Sequence, residues 1–415
     1  MPKSIQFGAN ALVYCTGDKA DRIFLLQKGT IWLKYLDIET GEETSDVVEP
    51  GEFFGLKPVL GRFPREENAL AKKAAVVLAF SLSEFELLLL SNDRIVMKMI
   101  KVFSGQLRRV HAHISSITKT QYVKPDYGLF EIGERYMKQG RHSQARYIFR
   151  RYLELYPGEE NSEEAGDNLR TLGKSPGSDG PGNRPAGMAP PGESVIGDGV
   201  LQMDADFLAK FSRGFRPGEI IFSEFEPGNT FFLILSGDVK VVKNTGQYEK
   251  TLDVLRQPEI FGEMAILDKS PRTASAIAVN EVTLLEFTGE NFEVLMRSHS
   301  QVSVKLLKVL AKRIHNAKRR AMILTLSDSH TKIADVFLML DETMNASHDK
   351  TGDYSREFKI GVEDVAHWAG LNLVETKAVL DYYVTQRRIS VYQNRMVVKN
   401  INDFSRLVAS RRNYE

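Results

Sequence analysis

The sequence predicts an α+β multidomain protein with two copies of a small β-roll, a short helical unit between them and a C-terminal helix-turn-helix followed by a hairpin. Three observations predict this class: an internal repeat, a Gly/Pro-rich segment between its copies, and a change from strand-like to helical periodicity within each copy. A chain of 415 residues is long enough for two to four domains.

The internal repeat covers the first part of each half of the chain. Phe7–Gly29 aligns without a gap with Phe215–Gly237 at an offset of 208 residues (215 minus 7). Phe54-Gly55 aligns with Phe261-Gly262 at an offset of 207 residues (261 minus 54). Short apolar runs separated by turn glycines follow in each copy, and this pattern is typical of a β-roll.

Helical patterns complete the organisation. Each copy of the repeat ends in a long amphipathic helix, predicted at Arg94–Ile117 and at Ser303–Leu324. Gly173–Gly192 is almost entirely Gly, Pro, Ser and polar residues, which favours a flexible linker. We therefore predict five regions, at 1–125, 126–172, 173–193, 194–326 and 327–415.

The region between the copies has the spacing of a helical hairpin. In Tyr127–Pro157 the small and apolar residues fit the 34-residue tetratricopeptide pattern, with Gly133 and Ala145 where two antiparallel helices would approach. Ser162–Leu172 is a candidate third helix. One such unit cannot bury its apolar face alone, so we expect it to pack on the first roll, on another copy or on a protein partner. A structural spacer and a peptide-binding groove both remain open.

Composition excludes several classes of protein. The net charge of +1 gives no argument for or against nucleic acid, so any DNA site must be local. With Cys15 as the single cysteine, neither an intrachain disulfide nor a four-cysteine metal site can form. His111 and His113 point to different sides of a helix, so we expect no metal. The N-terminus lacks a signal-peptide pattern and no apolar run could span a bilayer, which favours a cytoplasmic protein with no membrane contact. The sequence contains neither a nucleophile–base–acid arrangement nor a P-loop, so it gives no indication of an enzyme.

The motif that carries chemistry is Phe261–Ala278. Gly262 permits a tight turn, and a short helix after it would direct free backbone N–H groups outward. Arg272 adds a planar, always-charged group suited to phosphate. Glu263 would repel a phosphate, so we expect it to accept a hydrogen bond from a neutral group such as a sugar hydroxyl. The alternative is an arginine and a glutamate that pair across a turn in a roll without a ligand.

This motif resembles the phosphate-binding cassette of the cyclic-nucleotide-binding domain, over about residues 205–318. The resemblance implies that Glu263 holds the ribose 2′-hydroxyl, that Arg272 and the amides of Met264 and Ala265 hold the cyclic phosphate, and that Thr273 lies near phosphate and purine. Replacing Arg272 by Ala should abolish binding and leave the fold intact, because it removes the phosphate partner alone.

The identity of the base is open between cAMP, cGMP and an unusual nucleotide. In bacterial activators of this type, a threonine–serine pair in the long helix reads adenine. Here Ala317 and Lys318 stand at those two positions, so the adenine readers are missing. Thr273 is only a weak indication of guanine.

The first copy departs from the cassette at several positions. Leu56 replaces the ribose-binding acid, and Pro58 removes one N–H from the turn that would hold phosphate. Glu66 and Glu67 follow Arg65 directly and could pair with it. We predict that this copy does not bind a cyclic nucleotide in the usual way. It is either a degenerate domain kept for packing or signal relay, or a site for another ligand.

The C-terminal region, from Thr331 to about Leu407, resembles the winged helix-turn-helix of the catabolite activator (Crp/Fnr-type) family. Two short helices flank Gly370, and two strands follow around Gln393-Asn394. Apolar residues stand where this family reads bases with arginine and glutamate. The residues expected to contact DNA are Thr331, Lys332, Asn372, Leu373, Val374, Lys377 and Arg395, together with Arg387 and Arg388 at phosphates.

The resemblance implies a bacterial transcription regulator whose effector, a cyclic nucleotide, repositions a homodimer helix at Ser303–Leu324 and the winged helices that bind DNA. The alternative is a signalling adaptor that binds proteins through its tetratricopeptide-like unit and whose winged helix does not read DNA specifically.

Overall fold

The computed structural model describes residues 2–37, 40–118, 123–173, 195–196, 199–200, 210–245, 248–257, 259–268, 270–291, 300–344, 354–392 and 395–412. All of the predicted linker except Gly173, and the turn at Gln393-Asn394, lie outside these residues. The chain forms two compact units, one from residues 1–120 and 299–415 and the other from residues 121–298. Each unit is described by itself.

The first unit begins with a roll of two four-stranded sheets. Its strands are β1 (Lys3–Phe7), β2 (Leu12–Tyr14), β3 (Ile23–Lys28), β4 (Ile31–Leu36), β5 (Glu43–Val48), β6 (Phe53–Phe54), β7 (Asn68–Ala71) and β8 (Ala75–Phe80). The strand orders are β1-β8-β3-β6 and β2-β7-β4-β5. Its helices are α1 (Leu56–Gly61), α2 (Leu82–Leu90) and α3 (Asp93–Ile117). Tyr14, Phe24 and Phe54 stack in the core of the roll.

The second unit contains three helices, a two-stranded hairpin and a second roll. The helices before the roll are α4 (Pro125–Lys138), α5 (His142–Leu155) and α6 (Ser162–Thr171), and the hairpin is β9 (Val195–Ile196) and β10 (Gly199–Val200). The roll comprises β11 (Ser212–Phe215), β12 (Ile220–Phe222), β13 (Thr230–Ser236), β14 (Asp238–Thr245), β15 (Tyr248–Arg256), β16 (Ile260–Phe261), α7 (Glu263–Asp268), β17 (Ser275–Ala278) and β18 (Val282–Thr288).

The two rolls have the same topology. The second roll orders its strands β11-β18-β13-β16 and β12-β17-β14-β15, which repeats the first roll strand by strand. The register repeats too, since Phe232 pairs with Phe261 where Phe24 pairs with Phe54. The sequence repeat is therefore a duplicated domain.

The helical unit of α4–α6 packs on the second roll, which is none of the three neighbours expected from the sequence. Its core is continuous with Ile220, Val242 and Ile277 of the β12-β17-β14-β15 sheet. At one edge of this contact, Tyr136 and Arg141 bond to Glu249 Oε2 at 2.7 and 2.9 Å. The apolar face of the unit is thus covered within the chain.

The remaining elements belong to the first unit. They are α8 (Ser300–Thr325), α9 (Ser329–Met344), β19 (Arg356–Phe358), α10 (Val362–Ala369), α11 (Leu373–Thr385), β20 (Ile389–Tyr392), β21 (Arg395–Val398) and α12 (Ile401–Arg412). The three strands form a sheet in the order β19-β21-β20. Phe337, Tyr383 and Phe404 lie in the core of this C-terminal module.

Helix α8 packs along α3 and against α1 of the same chain. Both long helices bury apolar residues at alternating spacings of three and four, as in a coiled coil. The stripe of α3 is Val96, Ile100, Phe103, Leu107, Val110 and Ile114, and that of α8 is Leu307, Leu310, Ile314, Ala317, Ala321 and Leu324. The homodimer stays a prediction. Within one chain, the helix expected to form its seam already packs against α3.

Candidate functional site

The turn at the end of β16 positions the motif residues of the second roll. Gly262 has a φ of 79°, in the left-handed region that favours glycine. A Cβ at this position would lie 2.9 Å from Arg272 Nη1 and 3.2 Å from the Phe222 ring. The turn is therefore both left-handed and tightly enclosed. Glu263 follows as the first residue of α7 and is fully buried.

Arg272 makes hydrogen bonds to this turn and to the first residue of β13. Its Nη1 donates to the carbonyl oxygen of Gly262 at 2.6 Å, and its Nη2 donates to Thr230 at the carbonyl oxygen (2.6 Å) and Oγ1 (2.9 Å). The guanidinium lies 4.0 Å from the centre of the Phe222 ring. Nε is buried and has no hydrogen-bond partner within the described part of the chain. A donor in this state can serve an anionic ligand.

The surroundings leave the charge of Arg272 poorly solvated. The residue is 5% exposed, and burial lowers the pKa of its guanidinium to about 10, although Glu226 opposes the shift. A buried cation is stabilised by an opposite charge that replaces lost water. A phosphate bound here would provide that charge.

The other predicted ligand residues are distributed as follows. Met264 is half-buried, Ala265 is buried, and Thr273 is exposed with its carbonyl oxygen accepting from Lys243 Nζ at 3.4 Å. Ala317 and Lys318 lie on α8 in the first unit, where Lys318 Nζ donates to Glu66 Oε2 at 3.3 Å. Their predicted base contact stays a prediction.

The hydrogen bonds of Arg272 revise one expectation. The sequence suggested that replacing Arg272 by Ala would leave the fold intact. In the structure this side chain also donates to two carbonyl oxygens, so its loss would leave two partly buried acceptors unpaired. Sequence reasoning missed Phe222 and Thr230. The repeat could have identified them, because Phe222 and Thr230 align at the offset of 208 with Tyr14 and Arg22, which contact Arg65 in the first roll.

The first roll keeps this arrangement around Arg65. Nη1 donates to Gly55 O at 2.7 Å and Nη2 donates to Arg22 O at 2.5 Å, while Tyr14 lies 4.2 Å below the guanidinium. Gly55 has a φ of 67°. The cassette geometry thus persists although Leu56 has replaced the acid.

The acids after Arg65 bond to groups other than its guanidinium. Glu67 accepts from Tyr14 Oη at 2.9 Å, and Glu66 lies 2.6 Å from His315 Nδ1 and also accepts from Lys318. The direct pairing with Arg65 suggested by the sequence is therefore not present, because its Nη atoms are committed to backbone carbonyls.

The exposed face of α11 is the candidate DNA surface. Val374 is 81% exposed, and Lys377 and Ala378 are exposed beside it. Asn372 caps the helix by accepting from Glu375 N at 2.9 Å, and Leu373 is half-buried. This face carries few groups that could donate to bases.

Two basic residues flank that helix. Arg395 on β21 is exposed, lies 4.4 Å from the Tyr392 ring centre and reaches Glu357 at 3.4 Å. Lys332 Nζ donates to Leu324 O at 3.3 Å. Their predicted phosphate contacts stay predictions.

Thr331 does not fit the predicted phosphate contact. It is 2% exposed, and its hydroxyl donates to Asp328 Oδ2 at 2.6 Å. A buried side chain that already donates to a carboxylate stabilises the start of α9, so we omit it from the proposed DNA surface.

Within the described residues, no group of three or more His, Cys, Asp or Glu side chains is arranged to hold a metal ion. Over the same residues, no helix has the length and hydropathy needed to cross a bilayer.

Comparison with known proteins places both rolls in one domain family. The family model "Cyclic nucleotide-binding domain" matches residues 4–92 and 212–299. The cyclic AMP receptor protein of Thermus thermophilus is 33% identical over 150 residues, which cover 35% of this chain and 69% of that protein. The chain belongs to the cyclic AMP receptor protein (CRP) family.

Other members of the CRP family match over a longer stretch. The CRP-like cAMP-activated global transcriptional regulator of Mycobacterium tuberculosis is 28% identical over 205 residues, 44% of this chain and 91% of that protein. Among solved structures, the catabolite activator protein of Thermus thermophilus matches with 25% identity and a TM-score of 0.28, covering 48% of this chain and 90% of that one.

Proposed function

We propose that this CRP-family protein is a transcription regulator whose effector, a cyclic nucleotide, binds the second roll. The observation that carries the proposal is Arg272, a buried cation with an unpartnered Nε, which donates from Nη1 to Gly262, the residue before the buried Glu263. Arg272 would bind the cyclic phosphate together with the amides of Met264 and Ala265. Glu263 would accept from the ribose 2′-hydroxyl.

The response would pass to the C-terminal module, which we interpret as a winged helix-turn-helix. A ligand shifts such an equilibrium only through contacts that differ between two states. Helix α8 leads directly into α9 of the module, so a change in α8 would reposition α11 and its exposed face. The order helix, Gly370 turn, helix and hairpin supports this interpretation.

The test measures nucleotide affinity by calorimetry on the full chain with cAMP and with cGMP. Glu263→Gln removes the carboxylate with little change of volume, and we expect affinity to fall about tenfold or more through the lost charge-assisted bond. Leu56→Met at the aligned position of the first roll is the control and should leave affinity unchanged. Equal affinity in wild type and Glu263→Gln would refute the site.

The adaptor is the second candidate function, and the exposed face of α11 favours it. Val374 and Ala378 offer no hydrogen bonds to base edges, and apolar contacts would be limited to thymine methyl groups. A salt series on a labelled DNA duplex separates the two functions. A regulator should lose DNA affinity steeply with salt, while an adaptor shows little affinity at any salt concentration.

A further inference from the structure

The first unit contains a cavity of about 650 Å³, which is within the range of small-molecule sites. Its walls are strands β4 and β5, the cassette at Lys57 and Arg65, helix α3 at Arg109, helix α8 at Lys318 and helix α9 at Glu342. The roll that lost the ribose-binding acid therefore still has a cavity at its cassette, and the C-terminal helices form part of it.

The acidic side chains of this cavity already have partners. Glu66 is bonded to His315 and Lys318, Glu67 to Tyr14, and Asp46 to Tyr35 at 3.0 Å. Glu342 lies 3.3 Å from Arg319 Nε. These carboxylates are therefore committed to the protein and do not need a cationic ligand.

Two cationic side chains of the cavity, unlike these acids, retain a hydrogen-bond donor without a partner among the described residues. Among the described residues, the Lys57 ammonium has no hydrogen bond and no ion pair within 4.0 Å, although Lys57 lines the cavity. Arg65 is 3% exposed, and its Nε is buried without a hydrogen-bond partner in the described part of the chain. Burial lowers the pKa of the Lys57 ammonium, and the nearby Lys318 adds to this shift, while Glu66 and Glu67 oppose it. Both groups would be stabilised by a bound anion.

We propose that this cavity is a second ligand site, which binds a small molecule carrying an oxyanion through Lys57 and Arg65. The ligand differs from a cyclic nucleotide, because Leu56 cannot accept from a ribose hydroxyl and Pro58 has no N–H to donate. The oxyanion is a phosphate or a carboxylate. The proposal does not depend on nucleotide binding in the second roll.

The position of the cavity gives such a ligand a direct route to the C-terminal module. Lys318 and Arg319 on α8 and Glu342 on α9 line it together with the cassette. An anion that drew Lys318 away from Glu66 would change the contacts between the first roll and α8. The first roll would then be a sensor in its own right.

Lysine labelling with an acylating reagent, mapped by peptide mass spectrometry on the full chain, tests the site at a single residue. Inorganic phosphate and citrate are the probes, and sodium chloride at equal ionic strength is the control for screening. We expect Lys57 labelling to slow by about tenfold when a probe saturates the site. Slowing by phosphate alone assigns a phosphorylated ligand, and slowing by citrate alone assigns a polycarboxylate. Unchanged labelling with both probes overturns the proposal.

Two variants show that the anion binds at this place. Lys57→Met introduces the residue that stands at the aligned position in the second roll, and should weaken calorimetric binding of the effective probe about tenfold or more. Lys3→Met removes an equal charge from an exposed position of the first roll and should leave that binding unchanged. Binding that survives Lys57→Met, or protection of Lys57 by cAMP in place of the probes, would contradict a separate anion site.

Discussion

Arg65 donates a hydrogen bond from Nη1 to the carbonyl oxygen of Gly55 at 2.7 Å, and the aligned pair Arg272 and Gly262 does the same at 2.6 Å. In each roll an arginine thus holds the left-handed glycine found ten residues before it in the chain. This structural role accounts for an arginine in the first roll, where Leu56 stands at the position of Glu263.

The first prediction concerns stability. Arg65→Ala should lower the free energy of unfolding of the full chain by about 2–4 kcal/mol, because one buried and one partly buried carbonyl oxygen lose their donor and a cation–π contact is lost. Urea denaturation followed by intrinsic fluorescence measures this change. Arg22→Ala removes an exposed side chain and should change stability by less than about 0.5 kcal/mol. Equal stabilities for the two variants would contradict the structural role.

The second prediction concerns pH. Burial acts to lower the pKa of His315, but the carboxylates of Glu342, 3.7 Å from Nε2, and of Glu66, 2.6 Å from Nδ1, outweigh burial and raise the pKa above 6.5. Since the folded pKa is the higher one, the stabilisation is complete below pH 6.5 and is lost as pH rises through the folded value. His315 also faces Lys318 and Arg319, and its ring stacks on Phe63 at 4.0 Å. We therefore expect the free energy of unfolding to fall as pH rises above about 6.5.

His315→Gln is the matched variant for that measurement. Glutamine retains a hydrogen bond to the carboxylate and does not titrate, so the pH dependence over this range should flatten. Glu66 gives a separate signal at low pH. Burial would raise its pKa, but His315 and Lys318 outweigh this effect and hold the pKa at about 2, below the usual 4.5. Its stabilisation is present above pH 4.5 and is lost as pH falls towards 2. If the free energy of unfolding of His315→Gln depends on pH above 6.5 as it does in the wild type, His315 is not the source of that dependence.

The third prediction concerns the contact between the helical unit and the second roll. A Cβ at Gly128 would lie 2.5 Å from the ring of Phe225, a residue held at a φ of 71°. Gly128→Ala should therefore destabilise the chain by about 1–3 kcal/mol through overpacking. Gly166 on α6 has no atom within 4 Å of an added Cβ, so Gly166→Ala should stabilise by about 0.5–1 kcal/mol. Thermal unfolding shows whether each substitution raises or lowers the stability. Stabilisation by both substitutions would argue against close packing of Gly128 on Phe225.

The fourth prediction concerns DNA. If α11 lies against the duplex, Lys377→Ala should weaken binding uniformly across sequences and reduce the slope of log affinity against log salt by about 1. Fluorescence anisotropy with saturating cyclic nucleotide provides the measurement. Lys3→Ala removes an equal charge from the first roll and should leave the slope unchanged. A slope that Lys377→Ala does not alter would remove α11 from the proposed interface.

The sequence alone determined the duplication, the Phe-Gly turns and the long helices, because each depends on local periodicity or on spacing along the chain. The helices predicted at Arg94–Ile117 and Ser303–Leu324 lie at Asp93–Ile117 and Ser300–Thr325. Only the tertiary structure decided which surfaces these elements cover. Many surfaces can bury an apolar stripe, so periodicity reveals the stripe of α8 but does not identify α3 as its partner. Glu66 likewise looked like a partner for Arg65 in sequence, and it bonds to His315, 249 residues away along the chain.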